Sequence, residues 1–351
     1  MRHLNQLYRE IAEQPEVLRR IASSYITEGR FSSWQREFPG RIYFVGMGSS
    51  LFAAYPAYLY LLESGFPVGW IDASELLHYG LGGIRKDDTL FLISQSGESY
   101  EILKVLERLA VRPYLVGVTA SLESSMARKC DEVIDILSGP EKAVTSTKTH
   151  TATLAVLNLW ALAYRGDREG FFRARGELEG IAEEAERLIV SSPEWARRTI
   201  YNLELLQESD SRVIVARGYS LSSAWHGCLC FYECAKETFL SFSGGQFRHG
   251  PLEMAIRKML AVLLMPPGRT ALPMQNLAEF LVQRGVKVLS IGQCALAPRY
   301  NLEILPFYSP SEFFTPLLSI IPIMLLSYYI AEEKGIEPGT AYLIKKTTLE
   351  E

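Results

Sequence analysis

Short apolar runs alternate with segments of helical character along the first half of the chain. The runs lie at 41–45, 68–72, 90–93, 114–118 and 132–136. Segments that we interpret as helices follow them at 51–64, 73–78, 100–109, 124–130 and 146–164. Strands that alternate with helices are typical of a parallel sheet covered by helices on both faces.

The same pattern restarts in the second half of the chain. A run at 212–216 leads into a Gly-Ser loop and a helix, as the run at 41–45 does. Gly218 and Ser220 repeat Gly48 and Ser50 at an offset of 170 residues. A repeat of this length indicates an internal duplication of one α/β unit.

The duplication predicts the fold class and the domain boundaries. We expect an α/β protein of two tandem doubly wound, flavodoxin-like parallel-sheet domains. Residues 1–165 would hold N-terminal helices and the first domain, and residues 211–351 the second domain with a C-terminal tail. Residues 166–210 are mostly charged, with Glu and Arg three and four positions apart, and predict a helical connection.

One apolar segment is nearly long enough to cross a membrane. It occupies 313–330, but Pro316 and Pro322 interrupt it and no basic flank precedes it. We therefore interpret it as a helix buried in a protein core.

Composition indicates which partners the protein binds and which cellular compartment it occupies. The 351 residues carry a net charge of −4, with 48% hydrophobic and 22% charged residues, and no basic tract that would favour nucleic acid. Five cysteines without a disulfide-framework spacing favour a reducing compartment. The polar N-terminus does not resemble a signal peptide, so we expect a cytoplasmic protein that binds neither nucleic acid nor a membrane.

The stretch at 88–104 is the strongest candidate binding element. It reads as a strand, a hydroxyl-rich turn and the first turns of a helix, which is an arrangement suited to anions. The turn holds no Lys or Arg, so neutral donors would bind the anion, as suits a small phosphate monoester. The alternative is an ordinary strand–helix turn with a Ser cap. The donors in question are Ser94, Gln95, Ser96 and Ser99.

Two further hydroxyl loops follow predicted strands of the first domain. One contains Ser49 and Ser50, and the other contains Thr145–Thr147. Ligands of open α/β sheets bind at such strand ends.

The sequence does not match the common nucleotide-binding motifs. Leu51 stands where a dinucleotide fingerprint needs a third Gly, and no nucleotide P-loop is present. In the second copy, residues 265–268 carry no hydroxyl cluster, so one phosphate loop per chain is expected.

Acid–base groups are found in the second domain. Glu233 lies on one predicted helical stripe with His226 and Cys230, where it would serve as a general base with a raised pKa or as a plain surface carboxylate. His249 stands between a Gly-rich turn and a Gly-Pro pair, a position that suits acid–base work or a structural role. A C-terminal Lys could form a Schiff base if the tail folds over the site.

No cofactor is expected. The spacings of Cys228, Cys230 and Cys234 with His226 match no standard zinc pattern. Proton transfer on a sugar needs no metal and no redox cofactor.

Together these motifs resemble a known family. The chain is similar, from about residue 40 to its end, to two sugar isomerase (SIS) domains in tandem, arranged as in the isomerase half of glutamine–fructose-6-phosphate aminotransferase. The resemblance rests on GMGSS, IDASELLHY, SQSGES, GPEKAVTSTK, FRHGPLEMA and the tail.

The resemblance implies roles for particular residues. Those of the phosphate site would be Ser50, Ser94, Gln95, Ser96 and Ser99, and those lining the sugar Ser49, Val144 and Ser146. Glu233 would move a proton between C1 and C2, and His249, usually donated by the neighbouring subunit of a dimer, would open the ring. A tail lysine would form an imine. The spacing to Thr348 and Glu350 favours Lys345, whereas counting from Lys334 without a gap favours Lys346.

The chain also departs from that family. We expect no glutaminase domain, and His226 and Cys230 replace the usual Glu and Lys. The departures favour an enzyme that removes the amine from a 6-phosphorylated amino sugar or Amadori product, as a deaminase or a deglycase. The alternative is a sugar-phosphate-binding regulator that has lost catalysis.

Overall fold

A computed structural model describes residues 5–31, 37–207, 209–256 and 258–347. The described residues form two compact units, which we name by their sheets. The first-sheet unit comprises the described residues within 16–142, 146–179 and 342–347, and the second-sheet unit those within 5–15, 143–145 and 180–341.

The first sheet has five parallel strands in the order β2-β1-β3-β4-β5. The strands are β1 (Ile42–Gly46), β2 (Val68–Asp72), β3 (Thr89–Ile93), β4 (Tyr114–Thr119) and β5 (Glu132–Asp135). Each lies within one residue of the corresponding run, because strands of a parallel sheet covered by helices are rich in apolar residues. All five residues of β3 are buried.

The α-helices follow the predicted alternation. They are α1 (Gln6–Ala12), α2 (Gln14–Ile21), α3 (Gly48–Glu63), α4 (Ala73–Glu75), α5 (Tyr100–Arg108), α6 (Lys148–Arg165), α7 (Arg168–Val190), α8 (Ser192–Asn202), α9 (Leu221–Cys230), α10 (Gly244–Arg248), α11 (Ala271–Gln283) and α12 (Thr315–Glu333). Where a helix was predicted at 124–130, the structure has one tight turn at Ala127–Lys129.

Aromatic side chains fill the core between the first sheet and α6. The ring centroid of Phe91 lies 4.3 Å from that of Trp160 and 5.4 Å from that of Phe44. All three side chains are fully buried. Gly166 ends α6 with φ 78°, a left-handed conformation that glycine adopts without strain.

The second sheet repeats the topology of the first. Its order is β10-β9-β8-β6-β7, and all of its neighbouring strands are parallel. The strands are β6 (Ser211–Ala216), β7 (Leu240–Ser243), β8 (Met259–Met265), β9 (Lys287–Gly292) and β10 (Leu302–Leu305). In chain order, each sheet places its first strand between its second and third, which confirms the predicted α/β class with two tandem doubly wound sheets.

The apolar segment near the C-terminus is a buried helix. By length and composition α12 could span a membrane, but 94% of its apolar window is buried in the structure. Gly227 of α9 lets the two helices approach closely, since a Cβ there would lie 3.0 Å from Ile323 Cγ2. The helix is therefore core of the second-sheet unit.

Candidate functional site

The turn after β3, residues Ser94–Ser99, is tied together by its own hydroxyls. Ser94 Oγ lies 2.9 Å from Ser99 Oγ and accepts a hydrogen bond from the Gly97 amide at 3.1 Å. Ser96 Oγ accepts from the Glu98 amide at 3.2 Å. The Ser99 hydroxyl does not cap α5, although Ser99 occupies the N-cap position. The turn thus presents hydroxyls, rather than charges, at the start of a nine-residue helix.

A glycine shapes this turn. Gly97 has φ 66°, and a Cβ there would lie 2.0 Å from Ser124 Oγ. Its carbonyl accepts from the Met126 amide at 3.1 Å, and the Gln95 carbonyl accepts from Thr119 Oγ1 and the Ala120 amide, both at 3.1 Å. The end of β4 and the segment that follows it therefore hold the turn in place through hydrogen bonds to its carbonyl groups.

The one acidic residue of the turn is directed to a backbone amide. Glu98 Oε1 accepts from the Ser125 amide at 2.7 Å. That hydrogen bond is the main cause that lowers the pKa of the Glu98 carboxyl below its ordinary value.

Ser49 and Ser50 lie beside this turn because of strand register. Gly46 at the end of β1 pairs with Ile93 at the end of β3, so the two loops leave adjacent strand ends. Both serines are in the first turn of α3, which Gly48 enters with φ 46°. The arrangement brings together the two serine loops that the sequence predicts at one sheet edge, where the topology reverses direction.

The loop before α6 is built around a buried carboxylate that sequence reasoning did not assign. Glu141 Oε1 accepts from the Thr147 amide and hydroxyl, both at 2.9 Å, and from the Thr149 amide at 3.1 Å. Its Oε2 accepts from Thr149 Oγ1 at 2.6 Å and from Lys346 Nζ at 2.5 Å. The only signal in the sequence was a carboxylate six and eight positions before two threonines.

Charge and hydrogen bonding keep Glu141 ionised. Burial alone would raise the pKa of its carboxyl, but the charge of Lys346 and the hydrogen bonds from Lys346, Thr149 and Thr147 together lower it below its ordinary value. Ser146, a predicted sugar contact, lies half-buried within this loop. Val144, the other predicted sugar contact there, falls in the second-sheet unit.

His150 joins α6 to the Ser49 loop. Its Nδ1 lies 3.1 Å from the Ser49 carbonyl oxygen. Burial lowers the pKa of the imidazole to about 4, against the opposing effects of that hydrogen bond and of Glu141. A neutral His150 whose Nδ1 carries the proton therefore fixes the Ser49 backbone, a role that the sequence did not reveal.

In the second-sheet unit, Glu233 lies just beyond the regular α-helix that carries His226. The α-helix ends at Cys230, and Phe231–Ala235 form a wider turn in which the Lys236 amide donates to the Phe231 carbonyl. The predicted helix therefore continues past Cys230, but with wider π-helical hydrogen bonding in place of regular α-helix. Insertions of this kind re-aim side chains and are frequent at functional sites.

The two residues that replace the family's Glu and Lys contact each other. Cys230 Sγ lies 3.7 Å from His226 Nε2, and both side chains are fully buried. Burial raises the pKa of the Cys230 thiol well above its ordinary value, and the charge of Glu233 adds to the effect. Burial also raises the pKa values of Cys228 and Cys234 to about 11. These thiols are therefore core groups rather than nucleophiles.

His249 lies at the C-terminus of the short helix α10, with its side chain exposed. Its amide donates to the Gln246 carbonyl at 3.0 Å, and Gly250 follows with φ 122°. The structure thus holds the backbone of His249 in a tight turn and leaves the imidazole accessible.

The second sheet has a different arrangement at its own point of reversal. Gly268 follows β8, and a Cβ there would lie 2.5 Å from Glu312 Oε2. Glu312 Oε1 accepts from Thr270 Oγ1 at 3.2 Å. A carboxylate therefore stands where the first sheet presents hydroxyls. Within the described part of the chain, no group of three or more His, Cys, Asp or Glu could hold a metal ion.

The tail lysines differ in environment. Lys346 is 22% exposed at its side chain and paired with Glu141, whereas Lys345 is exposed. Thr348 and Glu350, on which the sequence-based choice of Lys345 depended, lie outside the described residues.

The fold and these loops define a class of protein. A family model described as the SIS domain matches residues 39–163 and 205–331. The chain belongs to the SIS-domain family, with two such domains in tandem.

Relatives within that class include aminotransferases. Glutamine–fructose-6-phosphate aminotransferase (isomerizing) of Clostridium tetani is 27% identical over 352 residues, covering 94% of this chain and 56% of that protein. The chain spans about half the length of the curated relatives it matches.

Solved structures share the fold. The C-terminal domain of glucosamine-fructose-6-phosphate aminotransferase from Francisella tularensis has a TM-score of 0.83 at 22% identity, covering 95% of this chain and 97% of that one. Glucosamine-6-phosphate deaminase from Thermotoga maritima has a TM-score of 0.71 at 22% identity, covering 98% and 99%.

Proposed function

We propose that this chain is a phosphosugar enzyme that removes the amine from a 6-phosphorylated amino sugar or Amadori product by proton transfer of the aldose–ketose type. The observation that carries the proposal is the Ser94–Ser99 turn. It combines hydroxyl donors with a helix N-terminus at one sheet edge, and residues 94–99 include no Lys or Arg. Membership of the SIS-domain family supports a phosphorylated sugar as the ligand.

Binding and chemistry are assigned to different groups. In this proposal the phosphate is bound by Ser50, Ser94, Gln95, Ser96 and Ser99, and the sugar is lined by Ser49, Val144 and Ser146. Binding of the phosphate group fixes the position of the sugar. The carbonyl end of the sugar is thereby presented to the acid–base side chains.

The proton transfers use two side chains and an amine. His249 opens the sugar ring by moving a proton to the ring oxygen. Glu233 takes a proton from one of the carbons C1 and C2 and returns it to the other, which converts the carbon–amine bond into an imine that water hydrolyses to a carbonyl and the free amine. A tail lysine forms the imine that makes this carbon acid stronger. The exposed imidazole of His249 and the half-buried carboxylate of Glu233 are consistent with these roles.

Deaminase and deglycase activities differ in the leaving amine and in the carbon that carries it, which is C2 of an amino sugar and C1 of an Amadori product. The first releases ammonia, and the second releases the amine of an amino acid or protein. The deaminase fold of the Thermotoga relative supports the first. The His226–Cys230 contact, which replaces charged family residues, supports an altered substrate. We further propose a cytoplasmic homodimer in which His249 serves the site of the neighbouring subunit.

A panel of substrates tests the proposal. Purified protein is incubated with glucosamine 6-phosphate and with fructoselysine 6-phosphate, and ammonia, free amine and sugar phosphate are measured. The unphosphorylated sugars are the matched controls. Release of amine from a phosphorylated compound alone is expected. Tight binding without turnover of any compound would instead support the sugar-phosphate-binding regulator, which the loss of the charged pair at His226 and Cys230 favours.

A further inference from the structure

We propose that Glu141 is a positioning residue that anchors the C-terminal tail through Lys346 and thereby presents Lys345 as the amine that reacts with the sugar. This proposal deepens the proposed function and rests on it for the role of the amine. The anchoring of the tail is a separate physical claim.

The environment of the Glu141 carboxylate favours one positively charged partner. Its side chain is 0% exposed, and three neutral donors bind Oε1 while a hydroxyl binds Oε2. A buried carboxylate without a countercharge is strongly destabilising, because hydrogen bonds from neutral donors only partly offset the hydration that the charge loses. The ammonium of Lys346 supplies that countercharge at 2.5 Å from Oε2.

Lys346 gives the described tail an ion pair with the protein. Residues 342–345 before it are exposed, with Leu343 at 98% and Tyr342 at 70%. The ion pair links positions 205 residues apart, so it ties the end of the chain to the loop before α6. That loop also carries Ser146, a proposed sugar contact.

The pairing decides between the two tail lysines. An imine requires a neutral amine that can reach the carbonyl carbon. The ammonium of Lys346 is committed to Glu141. Lys345 is exposed and forms no hydrogen bond or ion pair with the residues that the structure describes.

The covalent step is a condensation. The neutral amine of Lys345 adds to the carbonyl carbon of the open-chain sugar, its two N–H protons pass to the carbonyl oxygen, which leaves as water, and a C=N bond replaces the C=O bond. Anchoring by Lys346 limits the volume that Lys345 explores and so raises its effective concentration at the carbonyl.

Hydrogen exchange of the full chain tests the anchor without any need for activity. Lys346→Met and Glu141→Gln are expected to make the buried amides of Thr147 and Thr149, which donate to Glu141 Oε1, exchange about 10-fold faster, since the contact that holds this loop is lost. Lys346→Arg should restore protection, and Lys345→Met should leave it unchanged. Lys346→Met keeps Glu141 in place, so the test survives if Glu141→Gln does not fold. Equal exchange in the wild type and Lys346→Met would overturn the anchor.

Imine trapping tests the assignment of Lys345. Fructose 6-phosphate and borohydride are added, and the modified peptide is sequenced by mass spectrometry. The adduct is expected on Lys345 in the wild type, absent in Lys345→Met, and about 10-fold slower to form in Lys346→Met. An adduct on Lys346 would overturn the assignment. With no adduct on any tail lysine and fast exchange in Lys346→Met, the anchor stands and the imine step of the proposed function fails.

Discussion

At the scale of single residues, the two halves of the repeat provide a natural comparison. Ser50 and Ser220 occupy the same position after the first strand of their sheets, but Ser50 lies beside a hydroxyl-rich turn and Ser220 in a unit whose corresponding edge carries Glu312. The same residue type is therefore expected to bind phosphate in one unit only.

Replacing each serine by alanine tests this difference. Ser50→Ala is expected to weaken binding of a phosphorylated sugar roughly 10- to 100-fold, because it removes a hydrogen bond to a charged group. Ser220→Ala should leave affinity within about 2-fold, since only donors of the first-sheet unit are proposed to bind the phosphate. Isothermal titration with glucosamine 6-phosphate measures both. Equal losses in the two variants would contradict the assignment of the phosphate site.

His150 gives the stability of the protein a pH dependence. Its pKa is about 4 in the folded state against an ordinary value of 6.5, so the unfolded state binds more protons between these pH values. Stability is therefore expected to fall as the pH drops from about 6.5 to about 4, by on the order of 3 kcal/mol.

Urea unfolding at pH 7, 6, 5 and 4.5 measures this dependence. His150→Gln should flatten the slope in that window, and the exposed His249→Gln should not. A wild-type slope unchanged by His150→Gln would show that other groups are responsible.

At the scale of elements, the Ser94–Ser99 turn depends on the one residue type that fits its centre. Gly97 and Gly139 have nearly the same backbone, with φ 66° and 67°. A Cβ on Gly97 would clash with Ser124, whereas a Cβ on Gly139 would meet nothing within 4 Å. The pair separates the effect of the backbone from the effect of packing.

Gly97→Ala is expected to destabilise the protein by about 2 kcal/mol more than Gly139→Ala. Gly139→Ala suffers only the strain of a left-handed alanine, about 1 kcal/mol, and Gly97→Ala adds an overpacking term of about 1–3 kcal/mol. The midpoints of urea unfolding give the difference. Equal destabilisation would mean that Ser124 moves away without effect on the turn.

The sequence predicted the elements that local pattern determines. The five runs of the first sheet are mostly apolar and lie within two residues of β1 to β5. The widening of the helix after Cys230 has no such signal, because no Gly or Pro marks it and the buried Cys234 fits a regular helix equally well. The contact of Glu141 with Lys346 joins residues 205 positions apart and depends on tertiary structure alone.

At the scale of the whole molecule, the proposed dimer makes a prediction that a monomeric site does not. If His249 serves the neighbouring subunit, Glu233→Gln and His249→Gln should each be inactive alone. Mixing the two after dissociation should restore about a quarter of wild-type activity, because half of the dimers are mixed and each has one intact site. No recovery, in mixtures shown by mass to contain mixed dimers, would place both groups in one subunit.

The central proposal separates phosphate binding from proton transfer, and Glu233→Gln tests that separation most directly. Affinity and turnover are measured for this variant with whichever phosphorylated amine compound the wild type consumes. Affinity is expected to stay within about 3-fold while turnover falls at least about 100-fold, as loss of a general base predicts. A parallel loss of affinity and turnover, or wild-type affinity that does not depend on the phosphate group, would contradict it.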